Sequence, residues 1–143
     1  MFNLLLGHLV GDYLLQTNWM ALNKHKNDVE GWLACTIHCL LYAAAVALFM
    51  SPFIRPDTML IIAFITHFPL DKFGLADKYL KAIGGRSPSE WLIDMKQQQM
   101  ILGKDAIPTP EAMLSAGFTA FVYAVCDNTM HMLLMWLVLM VIL

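Results

Sequence analysis

Residues 30–50, EGWLACTIHCLLYAAAVALFM, decide the fold. From Trp32 onward the run is almost wholly apolar, and it matches the roughly 20 residues that a helical bilayer crossing requires. It stops before Ser51-Pro52, because proline disfavours helix in the residue that precedes it. Three more spans flank it. Residues 2–22 are apolar except for His8, Asp12, Gln16 and a few small polar side chains. Residues 57–73 are near the lower length limit and contain Pro69, which removes one backbone hydrogen bond and predicts a kink. The last span, 112–141, belongs to a segment that starts near Thr109-Pro110-Glu111 and exceeds one membrane thickness. It therefore either protrudes or breaks near Asp127-Asn128-Thr129.

Between the third and last spans the chain turns polar, from about Asp77 to Thr109. Gly84-Gly85 marks a break there, and Ser87-Pro88-Ser89-Glu90 reads as the capping start of a helix over 88–102. Trp91, Leu92, Met95 and Leu102 share one face of that helix, which lays it along the membrane interface. The predicted architecture is an all-α integral membrane bundle of about four transmembrane helices plus a cytoplasmic interfacial helix. It forms a single transmembrane domain over residues 1–143.

Composition points the same way. Of 143 residues, 59% are hydrophobic and 14% charged, with a mean hydropathy of +0.60, which excludes an ordinary soluble domain. A net charge of -2 supplies no basic field for nucleic acid. Cys35, Cys39 and Cys126 lie in apolar stretches and act as small hydrophobes. No basic region or small-residue cleavage site opens the chain, so the first helix is expected to remain in the mature protein. Arg55 falls on one side of the predicted spans, whereas Lys24, Lys26, Lys72, Lys78, Lys81, Arg86, Lys96 and Lys104 fall on the other. The positive-inside tendency makes that second side cytoplasmic. The expectation is a multi-pass protein of the inner membrane, in contact with lipid, with both termini outside the cytoplasm. Trp19 and Trp32 flank the first cytoplasmic loop as interface aromatics.

Every span also carries an ionisable side chain: His8 and Asp12, His38, His67 and Asp71, then Asp127 and His131. An aspartate at a span centre costs roughly 2.5 to 3.5 kcal/mol, so these residues are expected to face one another and to serve a function. A spacing of four puts each pair on one helical face. Helices one and three read His-x-x-x-Asp, while the oppositely directed helix four reads Asp-x-x-x-His, so the reversed order restores the same layering. The histidines should form the deeper layer, joined by His38, with the aspartates about 6 Å nearer the cytoplasm. Imidazole and carboxylate donors suit zinc first, or manganese or iron, and seven ligands exceed what one tetrahedral ion uses. One or two divalent ions are therefore expected. The bland reading, polar side chains that merely join neighbouring helices, fits any one of these residues.

Accessory features carry less. Gly7 and Gly11 permit another helix to approach closely, and Gln16 extends the His8–Asp12 face. Lys72, Lys24 and Lys26 either attract a phosphate group or set topology, and His25, in a loop, is read as solvated. His-Leu-Val-Gly-Asp at 8–12 and His-Phe-Pro-Leu-Asp at 67–71 each begin a hairpin that ends in a histidine-bearing helix, which suggests a parallel repeat.

Four motifs, His8-Leu-Val-Gly-Asp12-Tyr-Leu-Leu-Gln16, His38-Cys-Leu-Leu-Tyr42, His67-Phe-Pro-Leu-Asp71-Lys-Phe-Gly-Leu and Asp127-Asn-Thr-Met-His131, span most of the chain. On them the chain resembles a family of small bacterial and phage membrane proteins, domain of unknown function number thirty-three-oh-seven. The last motif departs slightly, since members often resemble Asp-Gln-x-x-His there. More remotely the pattern is similar to predicted membrane-bound metal-dependent hydrolases, a likeness of ligand type and helical build. The favoured expectation is a metal-dependent hydrolase with a phosphoester substrate, a phospholipid or a nucleotide. Asp12, Asp71 and Asp127 are the candidates for its general base. The alternatives are a metal or proton pathway protein, or a non-enzymatic membrane protein whose interfacial helix recruits a partner.

Overall fold

The computed structural model describes residues 2–102 and 109–142, and no strand occurs among them. Its helices are α1 (Phe2–Leu9), a π-helical turn (Val10–Leu14), α2 (Asn18–Asn23), α3 (Val29–Met50), α4 (Pro56–Lys72), α5 (Leu75–Ala82), α6 (Pro88–Leu102) and α7 (Pro110–Ile142). α3 and α7 are long and apolar enough to cross a membrane, and a third candidate arises if α4 and α5 are taken as one broken span. By length and composition the expected four spans thus reduce to two or three. Leu14, Leu22, Leu48, Ile65, Leu114 and Val141 are each more than half exposed, an apolar surface that suits lipid and not water.

The first expected span, 2–22, is not one helix. Leu15 N–H donates to the Val10 carbonyl at 3.1 Å, the i to i+5 bond of a π-turn, and a new helix then starts at Thr17, whose hydroxyl accepts from Met20 N–H. The cause lies across the interface. A Cβ on Gly11 would come within 2.9 Å of Tyr42 Cα, and one on Gly7 within 2.9 Å of Val46 Cα, so two glycines seat this segment directly on the α3 backbone.

Asp28 caps α3, accepting from Gly31 N–H at 2.7 Å. α4 opens on Pro56 at its first turn, runs unbroken past Pro69, and ends at Phe73 with Gly74 at φ +56°, a left-handed stop that glycine supplies without strain. Leu4, Tyr42, Val46, Met50, Met59, Ile62, Met135 and Leu139 form the core between these helices. α7 is continuous over 33 residues. The predicted alternative of a break at Asp127-Asn128-Thr129 is not taken, and the Asn128 and Thr129 side chains donate to the carbonyls of Ala124 and Val125 one turn earlier on the same helix.

Two compact units result, residues 2–74 with 130–142 and residues 75–102 with 109–129. In the second, Asp77 accepts from Ser87 Oγ at 2.7 Å and from Ser89 N–H at 3.2 Å, and Ser87 Oγ in turn accepts from Glu90 N–H to cap α6. Arg86 lies over the Phe118 ring at 4.6 Å. Lys104 and the Leu102 side chain lie outside the described residues.

Candidate metal centre

The first unit brings His8, Asp12, His38, His67, Asp71 and His131 together from α1, the π-turn, α3, α4 and the part of α7 from residue 130 onward. All four histidines are buried, as is Asp71. Asp127, the remaining expected ligand, stands four residues before His131 on α7 and belongs to the second unit.

The carboxylates do not form a separate layer. His38 Nε2 lies 2.9 Å from Asp71 Oδ2 and 3.3 Å from Asp12 Oδ1, and His67 Nε2 lies 3.3 Å from each of the same two oxygens. The two Nε2 atoms are 3.1 Å apart. Helical side chains lean toward the helix N-terminus, so an aspartate one turn after a histidine reaches back to it and the two predicted layers merge into one shell. On α4 that reach spans Pro69 without loss.

These five approaches join only four atoms, and that raises a proton problem. An ionised carboxylate carries no proton and an imidazole Nε2 at most one, so at most two protons serve five close contacts, and at least one contact sets proton against proton or lone pair against lone pair. A cation among them removes the conflict. Bonds of about 2.0–2.1 Å at the tetrahedral angle set ligand atoms about 3.3 Å apart, and the observed edges run from 2.9 to 3.3 Å. His38, His67 and Asp71 in one group, and Asp12, His67 and His131 in another, offer donor atoms that all lie within 4.8 Å of one another. Imidazole nitrogens and carboxylate oxygens at these separations are a donor set that could hold a divalent ion.

The remaining histidines meet the other oxygens. His8 Nε2 is 3.5 Å from Asp12 Oδ2, and His131 Nε2 is 3.6 Å from Asp71 Oδ1.

Tyr42, present in a motif but not read as part of the site, lies inside it. Its Oη is 3.0 Å from His8 Nδ1, and its ring stacks on His67 with centroids 3.6 Å apart. The signal was available, since Tyr42 follows His38 by four residues, the same spacing as the His-Asp pairs. Lys24, expected to attract phosphate or set topology, also lies inside the site. Its Nζ donates to Asp71 Oδ2 at 2.7 Å and to Gln16 Oε1 at 3.0 Å, which makes it a buried counter-ion and gives Gln16 its place in the site. Lys72 is buried: its Nζ donates to the carbonyls of Lys26 and Lys24 and sits 4.5 Å from the centre of the Trp32 ring. That lysine ties down the loop that carries Lys24. His25 is exposed.

No curated protein and no solved structure matches the chain. A family model does match, over residues 1–143, and by that match the chain belongs to the family described as protein of unknown function, DUF3307.

Proposed function

We propose that this protein is a metal-dependent hydrolase of the inner membrane, acting on a phosphoester bond in a lipid or a nucleotide. The observation that carries the reading is the set of four donor atoms from His38, His67, Asp12 and Asp71 at 2.9 to 3.3 Å. Three chain segments supply it, the π-turn, α3 and α4, and α7 brings His131 beside them; we read the four as passes through the bilayer. α1 with its π-turn and α4 are the shorter two, and both termini lie outside the cytoplasm. A divalent ion bound there, zinc first, supplies Lewis acidity and neutralises charge on a phosphoryl group.

The residues have distinct parts. His38 and His67 present neutral Nε2 donors, and Asp12 and Asp71 supply the anionic ones. Lys24 holds Asp71 in place and adds positive charge that favours an anionic substrate. The proton acceptor comes from Asp12 or Asp71, and on Asp71 Lys24 already occupies Oδ2. Asp12, with 10% of its side chain exposed against 2% for Asp71, is the more reachable of the two carboxylates. A pathway protein would need donors spread through the depth of the bundle, and these converge in a single shell.

The test is elemental analysis of detergent-purified wild type beside His67→Ala and Asp12→Ala, followed by hydrolysis assays on phospholipids and nucleotides with and without chelator. Stoichiometric metal in wild type, lost in both variants, and chelator-sensitive hydrolysis are expected. Metal-free wild type after zinc loading would leave the cluster a structural feature and end the enzymatic reading.

A further inference from the structure

We infer that the centre has a second metal position, in which the outer oxygens of Asp12 and Asp71 face His8 and His131 as the repeat suggested by the sequence would place them. This rests on the metal reading above. Exchanging the two hairpins carries His67 to His8, His38 to His131, and each aspartate to the other. Under that exchange the contact His38 Nε2 to Asp12 Oδ1, 3.3 Å, becomes His131 Nε2 to Asp71 Oδ1, 3.6 Å. The contact His67 Nε2 to Asp71 Oδ2, 3.3 Å, becomes His8 Nε2 to Asp12 Oδ2, 3.5 Å. The oxygen used at the first position is in each case the one left unused at the second. Each carboxylate therefore faces two sets of imidazoles, the arrangement of a bridging ligand between two ions.

Charge makes the positions unequal. One divalent ion balances the two carboxylates, but a second adds two uncompensated positive charges beside the buried ammonium of Lys24. The histidine–carboxylate pairs that would hold it stand wider apart, at 3.5 and 3.6 Å. The second ion then depends on an anionic oxygen ligand, and a phosphoester is such a ligand, so occupancy of this position and substrate binding reinforce each other.

Full-length protein in detergent, stripped by chelator, is titrated with zinc in the presence and absence of methylphosphonate, and bound metal per chain is measured by elemental analysis. Wild type is expected to take one equivalent alone and a second with methylphosphonate, the anion tightening the second by about tenfold or more. His8→Ala and His131→Ala should keep the first equivalent and lose the second. Wild type that saturates at one equivalent with the anion present overturns the second position and leaves the metal reading intact, whereas wild type that binds none overturns both. A second equivalent that survives in both variants places it elsewhere and also overturns the inference. If neither variant folds, the wild-type titration alone decides.

Discussion

Replacing Lys24 with methionine removes a buried positive charge while leaving every proposed metal ligand in place. Lys24 Nζ and Asp71 Oδ2 are 2.7 Å apart, with 10% and 2% of their side chains exposed, and Gln16 loses its partner with the same substitution. Breaking one side of a buried pair costs about 3–5 kcal/mol, because the remaining charge is left uncompensated. A divalent ion on Asp71 compensates that charge, so with metal present the loss falls to that of a hydrogen bond, about 1 kcal/mol. The difference, about 2–4 kcal/mol, must reappear as tighter metal binding, on the order of a hundredfold. Thermal unfolding in detergent should show the midpoint of Lys24→Met lowered by about 10 °C in chelator but by only about 3 °C in saturating zinc, at about 2–4 °C per kcal/mol. Competition against a chromophoric chelator should show the variant binding zinc more tightly than wild type. An equal drop in both conditions, or weaker zinc binding, would refute the assignment of Asp71 as a ligand.

Two further substitutions separate the parts of the centre. Tyr42→Phe keeps the ring against His67 and removes the hydroxyl near His8 Nδ1, so the second zinc equivalent should weaken by about 10- to 100-fold while the first stays within error in the same titration. Gly11→Ala sets a Cβ 2.9 Å from Tyr42 Cα, a backbone atom that cannot yield, and should cost about 1–3 kcal/mol and loosen zinc by displacing Asp12 next door. Gly117→Ala, with nothing within 4 Å, is the control and should stabilise α7 by about 0.5–1 kcal/mol in the same unfolding assay.

The long helices were legible because their signal is local. α3 is an apolar run that ends before Ser51-Pro52 and α7 one that opens at Thr109-Pro110, and neither needs a neighbour to define it. The His-x-x-x-Asp pairs were legible for the same reason, since four residues make one helical turn on any helix. The π-turn at Val10–Leu14 was not, because it depends on Gly11 meeting Tyr42 from a segment some thirty residues away. Nor was the burial of Lys24 and Lys72. A lysine that sets topology and one that neutralises a buried carboxylate occupy the same loops in sequence, and only the fold decides between them.

The two halves of the centre differ most outside the proposed ligands. Four residues after His38 stands Tyr42, and four after His131 stands Met135. Tyr42 gives His8 Nδ1 a hydrogen-bond partner, which holds the ring in the orientation that presents Nε2 to Asp12. Met135 instead accepts from the Thr66 hydroxyl at 3.6 Å, and His67 Nδ1 has no hydrogen-bond partner among the described residues. His67 is held by the Tyr42 ring, which sets its plane but makes no demand on its proton. One tyrosine thus steadies a histidine of each position by different means, with its hydroxyl on one side and its ring face on the other. Deleting the hydroxyl alone should therefore act on the second position and spare the first, an asymmetry that a merely structural cluster, with no ions to distinguish, has no means to produce.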